Sequence, residues 1–355
     1  MHKDKIIVGL SGGVDSSVAA YLLKEQGYEV IGVTMVNFHE KNLPEGTLSA
    51  TDKIVQDAAK VAEFLGIEHH VVDFSEEFKE QVMDYFTGEY LAGRTPNPCV
   101  ICNRRIKWRA MMEKGRELGA ELMATGHYAR SLKLDNGRYT LKMSATAAKD
   151  QTYALCNLTQ DQLERTRMPL GEYTKDQIRA IAAEIGLPVA EKADSMEICF
   201  IPDDDYAKFI KEHTGVEVPK GNYVSTSGQI LGQHKGIIHY TIGQRKGLNL
   251  AMGHPVFVSA IRPETNEVVI GENEDIFKTE LRCSHLNAMS VPEFTSGMEV
   301  MAKIRYHHKG APAVIEVIGD DELLVKFSEP QRAITPGQAV VFYENDYVVG
   351  GGLIN

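Results

Sequence analysis

The chain has 355 residues, of which 43% are hydrophobic, and a formal net charge of -11 at pH 7. This length suits two or three domains, and no apolar run approaches the ~18–20 residues needed to span a bilayer, which excludes a membrane-spanning protein. The acidic balance also argues against a surface that binds nucleic acid generally, so any such binding must depend on local basic patches.

The first 200 residues alternate between short apolar runs and longer amphipathic runs. The spacing predicts strands at residues 5–10, 29–34, 68–73 and 121–125, and helices at residues 15–26, 51–65, 75–91, 99–118 and 174–185. A hairpin is expected over residues 130–143, with its turn at Asn136 and Gly137. Strands that alternate with helices of this length indicate a parallel sheet with helices on both faces. We therefore predict an α/β domain over residues 1–205.

Glycines become frequent after about residue 206, and the predicted strands become short. Strands are expected at residues 255–261, 267–270, 300–306, 313–318, 323–327 and 339–343. Several short strands separated by turn signals are typical of a small barrel or sandwich. We predict a small central domain over residues 206–275 and an all-β barrel over residues 276–355.

A glycine-rich segment follows the first predicted strand and precedes the first predicted helix. It is Gly9-Leu10-Ser11-Gly12-Gly13-Val14-Asp15-Ser16. Glycines let the backbone approach an anion closely, and a helix start offers unpaired N–H groups and a positive dipole end. The segment matches neither the Walker A pattern nor the dinucleotide-binding GxGxxG pattern. It therefore predicts a phosphate-binding loop of another type, with a plain glycine turn as the alternative.

The five cysteines are few and odd in number, and the polar start of the chain contains no secretory signal, so we expect a reducing, cytoplasmic environment. Cys99 and Cys102 form a CxxC pair at a predicted helix start, a position that can lower a thiol pKa. Alone, the pair suits a redox disulfide, a zinc site, an iron–sulfur site or two partly buried thiols. Cys156 and Cys283 have no motif around them and are interpreted as small apolar residues.

Longer stretches around these residues resemble two protein groups. Residues 11–16 resemble the loop of pyrophosphate-loop ATPases, which transfer AMP to a substrate oxygen and release pyrophosphate. Residues 95–108, 124–128, 149–151, 194–201 and 239–248 resemble the tRNA-specific 2-thiouridylases (the MnmA family), in order along the whole chain. The resemblance implies that ATP, with Mg²⁺ as counterion, is bound by Gly9, Leu10, Ser11, Gly12, Gly13, Val14, Asp15, Ser16, Met35 and Gly126.

The same resemblance implies a role for the remaining motifs. Cys199 would carry the incoming persulfide, and Cys102 would be its catalytic partner. The target base would be bordered by Asn97, Pro98 and Cys99, and the tRNA anticodon stem-loop would contact His127, Lys149, Asp150, Gln151, Arg305, Tyr306 and Gln338. A cysteine desulfurase or a sulfur-relay protein would donate the sulfur.

Cys99 departs from the family pattern, since many members carry aspartate at this position. A thiol is a weak general acid near pH 7, so an acid/base role does not transfer to it. The triplet Cys99, Cys102 and Cys199 resembles a family branch proposed to hold a four-iron four-sulfur cluster. A persulfide mechanism and a cluster mechanism both remain open from the sequence, and both require Cys102 and Cys199.

Two basic clusters offer places for RNA phosphates on the acidic chain. The first consists of Arg104, Arg105, Lys107, Arg109, Lys114 and Arg116. The second consists of Arg305 and residues 306–309. The alternative for each cluster is a solvated helix face or a polar loop. The rival functions are another pyrophosphate-loop ATPase, such as an amide-forming synthetase or a tRNA lysidine synthetase, a nucleotide-binding module without catalysis, and an iron–sulfur redox protein.

Overall fold

Three β-sheets organise the part of the chain that the structure describes. A computed structural model describes residues 4–40, 47–193, 198–201 and 203–355. Within these ranges the sheets have five, four and eight strands. None of the helices found there combines the length and the apolar character that crossing a bilayer requires.

The five-stranded sheet is parallel and lies in the N-terminal region. The strands of this region are β1 (Lys5–Gly9), β2 (Glu29–Val36), β3 (Glu68–Asp73), β4 (Leu122–Ala124), β5 (Ala129–Lys133), β6 (Tyr139–Met143) and β7 (Thr166–Arg167). The sheet order is β3-β2-β1-β4-β7. Ile6, Ile7 and Val8 of β1 are fully buried, as expected for a central strand covered by helices on both faces. The predicted α/β architecture is confirmed.

Helices connect these strands, and π-helical segments interrupt two of them. The helices are α1 (Val14–Glu25), α2 (Ala50–Leu65), α3 (Ser75–Phe78), α4 (Asp84–Leu91), α5 (Pro98–Cys102), α6 (Arg109–Glu117), α7 (Gln160–Glu164), α8 (Lys175–Glu184) and α9 (Tyr206–Thr214). The π-helical segments are Lys79–Met83 between α3 and α4, and Asn103–Trp108 between α5 and α6. The sequence predicted one uninterrupted helix at each of these places, because hydrophobic spacing does not reveal a single π turn.

The central region contains α9 and a mixed sheet of β8 (Gly221–Ser225), β9 (Ile230–His234), β10 (Phe257–Arg262) and β11 (Glu267–Gly271), in the order β10-β11-β8-β9. Short 3-10 turns occur at Ala147–Lys149, Thr152–Leu155, Ile237–His239, Pro263–Thr265 and Glu274–Ile276. The core of this sheet is continuous with the apolar side chains of α3, α4 and α5. The central region therefore packs against a group of helices that includes α5, which carries the CxxC pair.

The C-terminal region is a closed barrel. Its strands are β12 (Phe277–Ala288), β13 (Met298–Lys303), β14 (Ala311–Gly319), β15 (Glu322–Arg332), β16 (Ala339–Glu344) and β17 (Tyr347–Ile354), and pairing of β12 with β17 closes it. The sequence predicted an all-β barrel but located four of these six strands. It missed β17 because the strand contains Gly350, Gly351 and Gly352, and glycine is rare in strands. A Cβ on Gly351 would lie 2.6 Å from the carbonyl oxygen of Val340, so the close backbone approach explains this glycine.

The β5–β6 hairpin links the first region to the barrel. Its two strands lie where the sequence predicted them, but β6 also pairs with β17, between Lys142 and Tyr347. The Nδ2 group of Asn136, in the turn, donates a hydrogen bond of 2.9 Å to the carbonyl oxygen of Ser290. The hairpin therefore extends the barrel sheet, a long-range pairing that local sequence patterns do not encode.

Candidate active site

The glycine-rich loop between β1 and α1 is shaped to leave backbone amides open. Gly13 is the N-cap of α1, and no described side chain caps this helix. The amide of Ser11 donates to Oγ of Ser16 at 3.1 Å, and that hydroxyl donates to the carbonyl oxygen of Gly13 at 3.2 Å. The loop is thus closed by its own serines, while the uncapped helix start can receive an anion.

Two glycines permit the close packing of this loop. Gly12 has φ +62°, in the left-handed region that favours glycine, and a Cβ there would lie 2.8 Å from the carbonyl oxygen of Ile54. A Cβ on Gly126 would lie 2.8 Å from the amide nitrogen of Ser16. Gly126 follows β4, which neighbours β1 in the sheet. The two loops flank the point where the strand order reverses, the usual ligand-binding crevice of an open α/β sheet.

Lysines from distant parts of the chain reach the loop. Lys175, at the start of α8, donates to both carboxylate oxygens of Asp15, at 2.7 and 2.8 Å, and the hydroxyl of Tyr128 donates to Oδ1 of Asp15 at 2.7 Å. Lys192 donates to the carbonyl oxygen of Gly12 and to Asp57, both at 2.9 Å. The hydrogen bond from Lys192 lowers the pKa of the Asp57 carboxyl group.

The sequence analysis did not identify Lys175 or Lys192 as site residues. Their separation from the loop exceeds 150 residues, and no local pattern connects them to it. The one available signal for Lys175 is its place directly after Thr174, whose side chain caps α8 and thereby fixes where the helix begins. Each ammonium group is paired with a carboxylate and lies beside the loop, where a phosphate oxygen can compete for its hydrogen bonds.

Met35 was expected to contact adenine, and it lies near the end of β2, next to the loop strand. It is half-buried and packs against two of the apolar clusters. The hydroxyl of the preceding Thr34 donates to the carbonyl oxygen of Leu10 at 3.0 Å, which fixes the two strand ends to each other. The adenine contact itself stays a prediction.

Cys102 and Cys199, nearly 100 residues apart in sequence, belong to the same part of the fold. Cys102 ends α5 and is 7% exposed within the apolar cluster that also contains Phe200. The Phe200 ring lies 5.6 Å from that of Phe78 and 5.4 Å from that of Phe86, each in an edge-to-face arrangement. This anchored ring holds the neighbouring, exposed Cys199 beside the CxxC helix.

Burial keeps both thiols protonated at neutral pH. It raises the pKa of the Cys102 thiol to about 12, and the charges of Cys199 and Cys99 raise it further, while Lys107 lowers it. Desolvation by neighbouring protein atoms also raises the pKa of the Cys199 thiol to about 11, although the residue has an exposed side, and Lys107 acts against this rise. The expectation that the helix start lowers the thiol pKa is therefore wrong for Cys102, because this residue ends a five-residue helix inside an apolar core.

The three cysteines do not form a metal site in this arrangement. Among the described residues, no three histidine, cysteine, aspartate or glutamate side chains converge in a way that could hold a metal ion. Cys99, Cys102 and Cys199 as placed here do not fit an iron–sulfur cluster. The stretch 194–197 of the Cys199 motif lies outside the described residues.

The π-helical segment Asn103–Trp108 is fixed from outside by three hydrogen bonds. Asn103 donates to the carbonyl oxygen of Ala154 at 2.9 Å, and Gln162 donates to the carbonyl oxygen of Arg104 at 3.1 Å. At the other end, the buried indole of Trp108 donates to Oγ1 of Thr166 at 2.7 Å. The carbonyl oxygen of Arg104 is a backbone group of the segment itself, while Asn103 and Trp108 anchor it through their side chains, so the surrounding fold stabilises the π turn.

His127 links the phosphate-loop side of the sheet to the π-helical segment that follows Cys102. It follows Gly126, and its ring lies 5.5 Å from the ring of Trp108. Its Nδ1 atom is 2.7 Å from Oγ1 of Thr125. Burial lowers the pKa of His127 to about 3, and the charge of Lys107 adds to this effect. The imidazole is therefore neutral at pH 7 and offers a hydrogen bond rather than a charge to any RNA ligand.

The loop before the CxxC pair is a junction of all three regions. The amide of Thr95 donates to the carbonyl oxygen of Pro336 at 2.9 Å, and Gln338 of the barrel donates to the carbonyl oxygen of Thr95 at 2.8 Å. The hydroxyls of Thr95 and Thr241, from the central region, are 3.2 Å apart. The barrel and the central region therefore position the segment that leads to the thiols.

The residues expected to border the target base lie directly after this junction. The Asn97 side chain accepts a hydrogen bond of 3.1 Å from the amide of Cys99 and caps α5. Pro98 is buried, and Cys99 is exposed. Of the three residues, Cys99 is the most exposed, and Asn97 is half-buried.

The predicted RNA-contact segment 149–151 is turned largely inward. Asp150 is 8% exposed, and its carboxylate accepts hydrogen bonds from the amide of Ser144 at 3.0 Å and from Thr152 at 2.6 Å. Gln151 accepts a hydrogen bond of 2.8 Å from the amide of Tyr128, and Lys149 is half-buried. The described contacts therefore give Asp150 and Gln151 structural roles, and their contacts with RNA stay predictions.

Tyr306 places the barrel next to the CxxC helix. Its ring is 39% exposed and meets the buried ring of Tyr153 edge-to-face at 6.2 Å. Burial raises the pKa of Tyr306, and the charges of Asp150 and Cys99 raise it further. Arg305 donates to the carbonyl oxygen of Arg332 at 2.9 Å. The exposed Tyr306 ring is thus available beside Cys99 for stacking, which stays a prediction.

Known protein families match all three regions of this chain. Residues 4–203 match the model of the tRNA methyl transferase HUP domain, residues 207–272 its PRC-barrel domain, and residues 278–354 the aminomethyltransferase β-barrel domain. A tRNA-specific 2-thiouridylase MnmA from Lachnoclostridium phytofermentans is 59% identical, with 99% of each chain covered. The proteins of the same name from Clostridioides difficile and Carboxydothermus hydrogenoformans are 52% and 54% identical, with 99% of this chain and 98% of theirs covered.

Proposed function

The chain belongs to the tRNA-specific 2-thiouridylase family, and we propose that it uses ATP to activate the wobble uridine of tRNA anticodons and replaces the C2 oxygen with sulfur carried by Cys199. The observation that carries this proposal is the continuity of the site. Gly126 packs on the phosphate loop, and the next residue, His127, lies against the π-helical segment that follows Cys102. These contacts support a single site that contains the anion-binding loop and the two sulfur atoms.

Activation precedes sulfur transfer because the C2 oxygen of uracil is a poor leaving group. In the first step this oxygen attacks the α-phosphorus of ATP, pyrophosphate leaves, and the oxygen becomes bonded to AMP. The open amides of the phosphate loop, Lys175 and Lys192 would stabilise the negative charge that moves to pyrophosphate. When bound with ATP near this loop, Mg²⁺ would neutralise part of the charge on the phosphates.

Sulfur transfer then uses the two thiols in sequence. The terminal sulfur of a Cys199 persulfide attacks C2, and AMP leaves with the former C2 oxygen. The deprotonated thiol of Cys102 attacks Sγ of Cys199, the sulfur–sulfur bond breaks, and its electron pair goes to the sulfur on C2. A Cys102–Cys199 disulfide remains, which a thiol reductant must reduce before the next cycle.

The tRNA must present its base unstacked from the anticodon loop. Extruding a base costs a few kcal/mol and is easiest in a loop. We propose that the base lies beside Asn97, Pro98 and Cys99, with Tyr306 available as a stacking partner. A cysteine desulfurase or a sulfur-relay protein is the proposed donor, and the exposure of Cys199 supports its access.

An amide-forming synthetase or a lysidine synthetase would need the phosphate loop but not the thiols. The packing of Phe200 between Phe78 and Phe86 places Cys199 at the CxxC helix, and this feature favours sulfur transfer. The experiment is mass spectrometry of tRNA nucleosides after incubation with ATP, Mg²⁺ and a sulfur source. We expect 2-thiouridine from the wild type and none from Cys199→Ser.

The matched control is Cys283→Ala, because Cys283 is buried in the apolar core of the barrel, whereas Cys102 belongs to a different apolar cluster. This variant should produce 2-thiouridine at close to the wild-type level. Formation of 2-thiouridine by Cys199→Ser, or by the wild type without ATP, would contradict the proposed function.

A further inference from the structure

Lys107 is the one member of its basic cluster that faces the thiols. Other members of the cluster pair with acidic side chains: Lys114 with Glu117 at 2.8 Å, Arg109 with Glu113 at 3.7 Å, and Arg116 with Asp161 at 3.7 Å. Lys107 is half-buried, and within the described ranges no hydrogen bond or ion pair involves its ammonium group. A partly buried cation without a counterion is costly, so this position needs an explanation.

The π-helical segment explains how Lys107 comes to lie there. In a π turn the backbone pairs residue i with residue i+5, whereas an α-helix pairs i with i+4. Cys102 directly precedes the segment, so the π turn brings Lys107, five residues later, to the face of Cys102. In a regular α-helix, a residue five positions later would be rotated by about 140° from Cys102, so Lys107 would leave this face. Ile106 packs in the same apolar cluster as Cys102. The external hydrogen bonds of Asn103, Arg104 and Trp108 hold the altered geometry in place.

We propose that Lys107 is a further functional residue of this site, whose ammonium group stabilises the negative charge that moves between sulfur and the departing AMP during sulfur transfer. The inference rests on the proposed function and adds a residue to it. The sulfur that attacks C2, the Cys102 thiolate that follows it, and the AMP that leaves are all anionic. A cation fixed beside both thiols is attracted to each of these anions, and it costs no reorganisation at the moment of reaction.

The electrostatics of the site support this placement. Among the charged groups that affect Cys102, Cys199 and His127, Lys107 has the largest effect on each, second only to burial. It lowers the pKa of both thiols and of the imidazole, as a nearby positive charge must. Lys107 therefore lies within electrostatic range of the two sulfur atoms and of the residue next to Gly126, where the two halves of the site meet.

The test is a single-turnover reaction that separates the two chemical steps. Full-length protein is loaded with persulfide on Cys199, and the loaded fraction is measured by mass. ATP, Mg²⁺ and tRNA are then added, and pyrophosphate release and 2-thiouridine formation are followed in the same sample. The variants are Lys107→Met, Lys107→Gln, Lys107→Arg and, as a control, Lys326→Met, which removes an exposed lysine paired with Glu316 on the barrel.

We expect Lys107→Met and Lys107→Gln to release pyrophosphate within about twofold of the wild-type rate, while 2-thiouridine formation per loaded protein falls by about tenfold or more. Lys107→Arg should recover part of this loss because it keeps the charge, and Lys326→Met should behave like the wild type. A purely structural role would slow both steps together and would not distinguish Lys107→Arg from Lys107→Gln.

Three results would overturn the inference. The first is an unchanged rate of 2-thiouridine formation in Lys107→Gln. The second is an equal fall of pyrophosphate release and 2-thiouridine formation in a variant that melts at the wild-type temperature. The third is an equal rate of 2-thiouridine formation in Lys107→Arg and Lys107→Gln. If Lys107→Met does not fold, the Gln and Arg variants decide between the same outcomes. Failure of the wild type to form any 2-thiouridine would instead contradict the proposed function.

Discussion

The phosphate loop and the thiol pair are built in opposite ways. At the loop, charges are present and already paired: Asp15 receives hydrogen bonds from Lys175 and Tyr128. At the thiols, burial suppresses charge, and the pKa of Cys102 is raised to about 12. The phosphate loop is ready to bind a charged ligand, while the thiol pair is held neutral. We infer that the sulfur half becomes reactive only when the substrate alters its surroundings.

The largest expected effect is the loss of sulfur transfer while ATP activation at the phosphate loop continues. Cys102→Ser and Cys199→Ser should each reduce 2-thiouridine formation by about a hundredfold or more, since no hydroxyl replaces a sulfur nucleophile at neutral pH. Pyrophosphate release in the presence of tRNA should stay within about threefold of wild type, because the loop is unchanged. Parallel assays of both products check this. Loss of pyrophosphate release in both variants would show that the halves are not separable.

A second effect concerns the reactivity of Cys102. A raised pKa means that the thiol stays protonated, so alkylation by iodoacetamide at pH 7 should be slower by on the order of a hundredfold than in the unfolded protein. The rate should rise about tenfold per pH unit from pH 7 to pH 10, without levelling near the ordinary value of about 8.5. Mass spectrometry of the Cys102 peptide measures this.

Restricted access alone would also slow the reaction, but its rate would level off near the ordinary thiol pKa. A plateau near pH 8.5 would therefore contradict the contrast between a charged loop and neutral thiols. The exposed Cys99, three residues earlier on the same helix, provides an internal reference for reagent quality and for folding of the segment.

A third effect tests the pre-formed charges of the loop. Lys175→Met removes the cation that binds both oxygens of Asp15, and we expect ATP affinity to fall by about tenfold. Tyr128→Phe removes one hydrogen bond to the same carboxylate and should weaken binding by only a few-fold, at about 1 kcal/mol. Titration of each variant with ATP checks the order. Equal affinities for Lys175→Met and wild type would remove Lys175 from the site.

The smallest expected effect is a change in stability at the hydrogen bonds that hold the π turn in place. Thr166→Val removes the acceptor of the Trp108 indole and leaves a buried N–H group without its partner, which should cost about 1–3 kcal/mol of unfolding free energy. Urea unfolding measures this. Thr265→Val, at an exposed turn of the central region, is a matched control that should change stability little. Equal stability of Thr166→Val and wild type would indicate that the π turn needs no external support.

The two halves also differ in how far the sequence predicted them. The loop residues 9–16 are contiguous, and their position between an apolar run and an amphipathic run indicates a phosphate site without further information. The thiol site depends on long-range packing: Phe200 among Phe78 and Phe86, and Tyr306 from the barrel beside Cys99. Local patterns identify Cys102 and Cys199 as unusual residues, but they do not show that burial dominates their pKa values.

The fold shows the same division. The periodic spacing of hydrophobic residues predicted the parallel sheet, most of its helices and the β5–β6 hairpin, because each of these is a local feature. It missed β12 and β17, the pairing of β6 with β17, and the π turn at Asn103–Trp108. Lys175 and Lys192 were missed for the same reason, since their roles follow from contacts with residues far away in sequence.

The most direct test of the shared site is the ratio of its two products in one turnover. Protein loaded with persulfide on Cys199 is mixed with ATP, Mg²⁺ and tRNA, and AMP and 2-thiouridine are quantified together. If one site performs activation and sulfur transfer, every 2-thiouridine formed should be accompanied by one AMP. Formation of 2-thiouridine without AMP would contradict the account, because the phosphate loop would then take no part in the reaction that the thiols perform.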